Sequence, residues 1–568
     1  MGKIFERILE SRLVKFALAE DIIDDAQEGF LPHRNTTRYL YKMLSSIHEV
    51  RRKKMTAMIL LIDFEKAYDS VPTDCLLYKL YTFGIRGKIL QLIASFLTTR
   101  TTKLKVNEFI GATHILTMIG LPQGAVLSPI LFIIYVSDLL DHRRLPESLR
   151  ERAQGFKFAD DGSVAAIGVN MLECWAIMKG ICAHISMWCK KWRLIVNCNP
   201  NKTEVLALFS SDDVVNFLPP LEISGKPIKY VHKSKVLGVV IDDRLSFIPH
   251  ARGKLKACWF AWNNLCRHTT KIAGLNSSSL AILFKCIVLT KLLYASPVWL
   301  EENMNVFKDF LSRVRLKISG AEFHLPKSSA HMLISIPPLD ILSISCTTRF
   351  VLKCLSSSDQ MTSLIYQLEH TPGHKYYKHT IQVKQFLKWR TDSDTASRNI
   401  ELHLSQRKHL LYNKTVISKY VGMLWDRQLH LECGLRDRQV KTIMAQTLLK
   451  PFLQRWETRE AQVQYLDFLH GRSARFQDFR KSVKLTTSQT CLDCRSVEDS
   501  HLHKLFDCAA LAGSERNRFV QSIGGKTDIF EELVLFSEEP EPKSAYKSLV
   551  RYICCTGAQY DYRAVLNM

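Results

Sequence analysis

Three aspartates in this sequence stand where carboxylates could hold divalent cations. Residues 57–62, AMILLI, form a continuous apolar run of the kind found in a buried strand, which delivers Asp63 at its end, followed by FEKAYDSV. A carboxylate ending a buried strand is costly unless something employs it. Residues 155–167, GFKFADDGSVAAI, carry two apolar arms around Asp160, Asp161 and Gly162 and read as a β-hairpin with adjacent acids at its tip. Adjacent acids repel, and a divalent cation offsets the repulsion. Asp63 and Asp160 could bridge two Mg2+ ions set ~3.5–4 Å apart, an arrangement that serves in-line phosphoryl transfer. An Asp-Asp-Gly turn by itself is usually only a hairpin turn; its combination with Asp63 is what points to chemistry.

Two further stretches carry chemically useful residues. Residues 120–138, GLPQGAVLSPILFIIYVSD, are a Gly/Pro-punctuated loop running into an apolar helix. A loop feeding a core helix accounts for the helix but not for the Pro-Gln-Gly step, where Gly124 lets backbone approach a ligand and Gln123 offers an amide to bond it. Residues 491–508, CLDCRSVEDSHLHKLFDC, contain the spacing C-x2-C-x8-H-x4-C if Cys491, Cys494, His503 and Cys508 are taken together. A close Cys pair can grip one side of a tetrahedral Zn2+ while His and Cys close the other, with unliganded buried thiols as the alternative.

The elements that must position these groups belong to a large chain. At 568 residues it is too long for one compact core, and 46% hydrophobic with 23% charged residues are globular values. Lys and Arg number 78 against 55 Asp and Glu, a net charge of +23 with pI near 9.3, which suits a polyanionic partner. Nucleic acid is the leading partner and a membrane surface the second. The most apolar stretch, residues 129–140, is interrupted by Ser137 and Asp138 and falls short of a span of ~20 residues, so no transmembrane helix is expected. The charged start MGKIFERILESRL is unlike a signal peptide, and 16 cysteines without a paired framework point to a reducing compartment. The charge is uneven. Residues 251–300 hold seven basic residues (Arg252, Lys254, Lys256, Arg267, Lys271, Lys285, Lys291) and no Asp or Glu. Leu255, Trp259, Trp262 and Leu265, then Leu283, Ile287 and Leu292, predict helices that pack an apolar stripe inward while the basic residues face out and can track phosphates. The run 51–54 is expected to end a helix ahead of a strand, and the acidic residues 531–542 to form a surface linker.

Several pieces, in chain order, resemble the reverse transcriptases of non-LTR (LINE-type, jockey-like) retrotransposons: KIFERILESRL from Lys3, QEGFLPHRNTT from Gln27, LIDFEKAYDSV from Leu61, GLPQGAVLSPILFIIYVSDL from Gly120, FADD from Phe158, WRLIVNCNPNKTE from Trp192, LGVVIDDRLSFIPH from Leu237 and YASPVW from Tyr294. The resemblance covers roughly the first 350 residues.

The resemblance implies an α/β right-hand polymerase: an α+β palm with an antiparallel sheet and a mostly helical thumb and C-terminal region. The implied domains are partial fingers at 1–55, palm at 56–210, primer grip and thumb at 211–325, a helical connector at 326–485, a zinc knuckle at 486–515 and a tail at 516–568. By similarity, Asp63 and Asp160 bind Mg2+ with Ile62 adjoining through its backbone, and Asp161 assists or orients the hairpin. Tyr68 falls where an aromatic gate selects deoxynucleotides, although a core aromatic explains it too. Gln123 and Gly124 resemble contacts to the incoming nucleotide, Lys202 a lysine that protonates the pyrophosphate leaving group, and Arg34 an arginine that approaches template or triphosphate. The implied partners are an RNA template, a DNA primer and deoxynucleoside triphosphates, with no membrane, and the implied location is the nucleus. Leu31, Phe158 and Ala125 depart from the family's usual Arg, Tyr and Ser. The chain opens inside the first fingers motif, so an N-terminally truncated copy is expected, and no ribonuclease H domain is expected. The rival expectation is a catalytically inactive nucleic-acid-binding remnant.

Overall fold

The computed structural model describes residues 2–98, 101–115, 119–210, 212–267, 275, 277–319, 336–356, 360–391 and 414–432. The candidate zinc ligands Cys491, Cys494, His503 and Cys508 lie outside the described residues, as does most of the expected connector. The chain divides into two compact units: residues 1–251 with 295–300 and 346–414, and residues 252–294 with 301–345 and 415–568. The ranges expected for fingers, palm and primer grip fall almost wholly in the first unit, while the range 326–485 is shared by both.

The first unit is built on a six-stranded sheet. In chain order its strands are β1 (Thr56–Ile62), β4 (Ala153–Phe158), β5 (Asp161–Gly168), β6 (Glu204–Leu208), β7 (Leu221–Ile223) and β8 (Lys226–Val231), and their spatial order is β4-β5-β1-β6-β8-β7. Two hairpins stand apart, β2 (Thr101–Val106) with β3 (Phe109–Ile115), and β9 (Lys233–Val236) with β10 (Val239–Asp242). β1 lies centrally, antiparallel to both β5 and β6. Residues 57–62 are all buried, so both faces of β1 are covered, which is why AMILLI shows no alternation. Helices α2 (Thr36–Arg52) and α7 (Met171–Trp192) both pack on β1. Each is started by an asparagine: Asn35 Oδ1 accepts the Arg38 N–H at 3.0 Å, and Asn170 Oδ1 accepts the Glu173 N–H at 2.9 Å. Arg51 and Arg52 close the last turn of α2 ahead of β1, where basic charge opposes the helix dipole.

The sheet differs from the expected antiparallel one at a single pairing. β6 and β8 run parallel, because α8 (Asp212–Asn216) and the short β7 intervene, so that β7 takes the antiparallel place beside β8. The remaining helices of this part of the unit are α1 (Gly2–Ala19), α3 (Thr73–Thr82), α4 (Gly87–Thr98), α5 (Leu127–Tyr135) and α6 (Glu147–Arg150). α5 is buried almost all round, as its uninterrupted apolar sequence requires.

Residues 346–391 return to the first unit. Tyr41 of α2 stacks on Tyr376 at 4.4 Å, and the Ser45 carbonyl accepts from His374 Nε2 at 3.0 Å. β9 and β10 are joined by Leu237 and Gly238, both at positive φ (43° and 84°), as a two-residue hairpin turn matched to strand twist requires.

In the second unit, residues 252–266 of α9 (Ile248–Cys266) pack Trp262 edge-on against Phe284 and Trp259 against Phe310. Arg252, Lys256, Arg267 and Lys291 are exposed, whereas Lys254 and Lys285 are half-buried and Lys271 lies outside the described residues. The inward stripe departs from the predicted one. Phe284–Leu289 forms a π-helix, and the buried line runs through Phe284, Val288 and Leu292, leaving Ile287 37% exposed. Leu255, Trp259, Leu265 and Leu283 are half-buried. Among the described residues no single helix is long and apolar enough to cross a membrane.

Candidate active site

Strand register brings the carboxylates together. Ile62, the last residue of β1, pairs with Gly162 of β5, so Asp63 emerges beside Asp161 at the same end of the sheet. β4 and β5 close on each other through Phe158 and Asp161, leaving Ala159 and Asp160 as the two-residue tip. Ala159 sits at φ 57°, a conformation in which a Cβ is strained and which here carries the chain through the turn that presents Asp160.

Asp63 is anchored on all sides. Its N–H donates to Thr203 Oγ1 at 3.2 Å, its carbonyl accepts the Asn197 N–H at 2.8 Å, and its Oδ2 accepts from Asn197 Nδ2 at 3.1 Å. Lys202 Nζ stands 3.7 Å from the same Oδ2 while remaining largely exposed. Burial raises the pKa of Asp160, and the Asp63 charge raises it further. Asp161 is exposed at the start of β5, yet desolvation of its carboxyl pushes it up to about 6, with Asp160 and Asp63 adding to the rise and Lys202 opposing it. Two acids that resist ionising, set beside the Asp63 carboxylate, form a place for positive charge. A cleft of about 400 Å³ opens here, lined by Asp63, Asp161 and Lys202 and by Lys233 and Lys235 of β9.

Among the described residues no group of three or more His, Cys, Asp or Glu side chains forms a metal cage. The donor set nevertheless fits Mg2+, which is commonly held by one or two carboxylates together with substrate phosphates rather than by a complete protein cage.

The other predicted residues fall in differing places. Tyr68 is partly buried and stacks on Phe132 of α5 at 4.8 Å and 21°; burial, with the Asp160 charge second, pushes its hydroxyl up to about 12. That hydroxyl is buried without a hydrogen-bond partner among the described residues. Gln123 Nε2 donates to both carboxylate oxygens of Asp69, each at 3.1 Å, and Gly124 sits at φ 83° with open space where a side chain would be. Arg34 is engaged elsewhere: it pairs with Asp25 at 2.9 Å and donates to the Gln27 carbonyl, and its side chain is only 8% exposed. Sequence reasoning missed Asn197 and Thr203 as supports of Asp63, and Lys233 and Lys235 as lining of the cleft. Asn197 and Thr203 do lie in the quoted stretch WRLIVNCNPNKTE, where polar residues close to a buried strand were the available signal.

Residues 1–241 match the family model described as "Reverse transcriptase (RNA-dependent DNA polymerase)", and they form a reverse transcriptase domain. Its homology is distant and lies with non-LTR retrotransposon enzymes. The RNA-directed DNA polymerase from mobile element jockey of Drosophila melanogaster is 24% identical over 345 residues, 60% of this chain and 37% of the relative. The probable RNA-directed DNA polymerase from transposon BS of the same species is 21% identical over 353 residues, 62% of this chain and 38% of the relative. The matches thus span little more than a third of these relatives. Among solved structures, telomerase from Candida albicans in complex with the TWJ fragment of telomeric RNA is 14% identical, covers 63% of this chain and 57% of that one, and has a TM-score of 0.30.

Proposed function

We propose that this chain is an RNA-directed DNA polymerase that extends a DNA primer on an RNA template by two-metal nucleotidyl transfer, in the service of retrotransposition. The observation that carries the reading is the convergence of Asp63, Asp160 and Asp161 at one end of the sheet, with Lys202 beside them, inside a reverse transcriptase domain. Asp63 and Asp160 would hold Mg2+ with Ile62 adjoining, and the bound ions would neutralise charge developing on the transferred phosphoryl group. Asp161 adds negative charge beside them and belongs to the strand that fixes the turn. Lys202, exposed and within reach of Asp63, gives a proton to the departing pyrophosphate, a contribution of about 10²–10⁴-fold. The Tyr68 ring limits room at the ribose, and the Gln123 and Gly124 backbone forms the floor under the incoming deoxynucleoside triphosphate.

The exposed basic residues of 252–291 hold the phosphates of the template–primer duplex. Cys491, Cys494, His503 and Cys508 bind one Zn2+ in a knuckle that adds nucleic-acid contacts, and the protein works in the nucleus. Purified chain given an RNA template, a DNA primer, deoxynucleotides and Mg2+ tests the reading: template-directed extension is expected, and a chain that binds the duplex without extending it is a silent remnant instead. Metal analysis should find about one zinc per chain, lost in the Cys491→Ser/Cys494→Ser double variant; a metal-free wild type removes the knuckle. Tyr68→Ala should raise ribonucleotide incorporation, and unchanged discrimination would remove the gate.

A further inference from the structure

The turn that presents Asp160 is held from outside its own hairpin. Residues 26–28 run alongside β4: the Lys157 N–H donates to the Ala26 carbonyl at 3.0 Å, the Glu28 N–H donates to the Lys157 carbonyl at 2.8 Å, and Gln27 pairs with Lys157 in parallel. This places the Gln27 side chain, 1% exposed, under the tip. Its Oε1 accepts two backbone donors, the Gly29 N–H at 2.9 Å and the Ala159 N–H at 3.0 Å. Two donors converging on one atom identify it as the oxygen, which leaves Nε2 buried with no partner among the described residues. The orphaned donor is a cost set against the two hydrogen bonds that Oε1 accepts. A glutamate would accept both N–H groups and orphan nothing, but it would add a fourth negative charge close to three that already repel. Gly29 completes the contact: a Cβ there would lie 2.5 Å from the Ala159 nitrogen, so any side chain would displace the tip.

We infer that Gln27 is a positioning residue for polymerisation, whose buried side-chain oxygen holds the Ala159 N–H and so fixes the strained turn that aims Asp160. The inference rests on the polymerase reading for its consequence in catalysis, but its structural half stands apart from it. Ala159 sits at the strained φ of 57°, and among the described residues its N–H donates to Gln27 Oε1.

Hydrogen–deuterium exchange and primer-extension kinetics on the full chain, carrying Gln27→Met or Gln27→Glu, test this. Met has a similar length and no comparable acceptor; Glu keeps one. In Gln27→Met, the peptide covering 158–162 should exchange about tenfold faster while the peptide covering 57–62 stays as in wild type. kcat should fall by about 10²-fold with KM for the deoxynucleotide changed by less than about twofold. Gln27→Glu should keep wild-type protection of 158–162. Unchanged protection in Gln27→Met overturns the inference, as does equal loss of protection in 57–62, which would make Gln27 a general scaffold residue. Should wild type extend no primer, the polymerase reading fails, and the exchange comparison still decides whether Gln27 fixes the turn.

Discussion

Asp160 and Asp161 are adjacent in sequence and share the end of the sheet with Asp63; burial makes both harder to ionise, the Asp63 charge adds to the rise in both, and Asp160 adds to that of Asp161. The consequence for stability has a definite sign. Asp161 rises from 3.8 to about 6 in the folded chain, so between those pH values the folded state keeps a proton that the unfolded chain has released. Stability from this group therefore falls as pH rises through that window, and the penalty is complete above about 6. Asp161→Asn should raise the melting temperature at pH 7 in the absence of divalent cations, with the gain shrinking as pH approaches 4; a gain independent of pH would show that the repulsion is not its source. Tyr68 makes a second residue-level case. Its hydroxyl is buried without a partner among the described residues, so Tyr68→Phe should leave thermal stability unchanged or increase it, whereas a loss of about 1 kcal/mol or more would reveal a hydrogen bond.

Between elements, the most unusual contact joins α3, the end of α5 and α7. Lys79 is 1% exposed, donates to Asp138 Oδ1 at 2.6 Å and lies 3.9 Å from the Trp192 ring centroid. Trp188 Nε1 donates to the same Asp138 oxygen at 2.8 Å. Burial drives Lys79 down to about 8, with Asp138 holding it from falling further. Asp138→Asn strands a buried ammonium and should cost about 3–5 kcal/mol in urea unfolding, whereas Lys79→Met with Asp138→Leu should cost much less. Equal losses in both would mean that the hydrogen bonds the Asp138 carboxylate accepts, and not a stranded charge, set the cost. This contact also marks how far the sequence could be read. β1, the β4/β5 hairpin and α5 were legible because strand and helix periodicity, or its absence in a doubly covered strand, is a local property. Asp138 reads only as a break in an apolar run and nothing local marks Lys79, because a buried charge is explained by a partner about sixty positions away. The parallel β6/β8 pairing was hidden for the same reason: it depends on a three-residue β7 and a crossover, not on composition. At the site, the three carboxylates were readable from motif and spacing, whereas the grip of Gln27 on Ala159 joins residues 132 apart and needed the fold.

For the molecule as a whole, +23 of net charge and the acid-free segment 251–300 set the expected response to salt. Affinity for a template–primer duplex should fall linearly with the logarithm of salt concentration, with a slope of about −0.9 for each duplex phosphate neutralised. Replacing Arg252, Lys256 and Lys291 together with alanine should flatten that slope by up to about 3. An unchanged slope would place the duplex on another surface. Binding alone, however, is shared by a working polymerase and a silent remnant. The decisive measurement is extension of a DNA primer on an RNA template with Mg2+ and deoxynucleotides, wild type beside Asp160→Ala. Template-directed extension by wild type that drops to background in Asp160→Ala is the predicted result. No extension by folded wild type, or equal extension by the variant, would contradict the assignment of polymerase chemistry to Asp63 and Asp160.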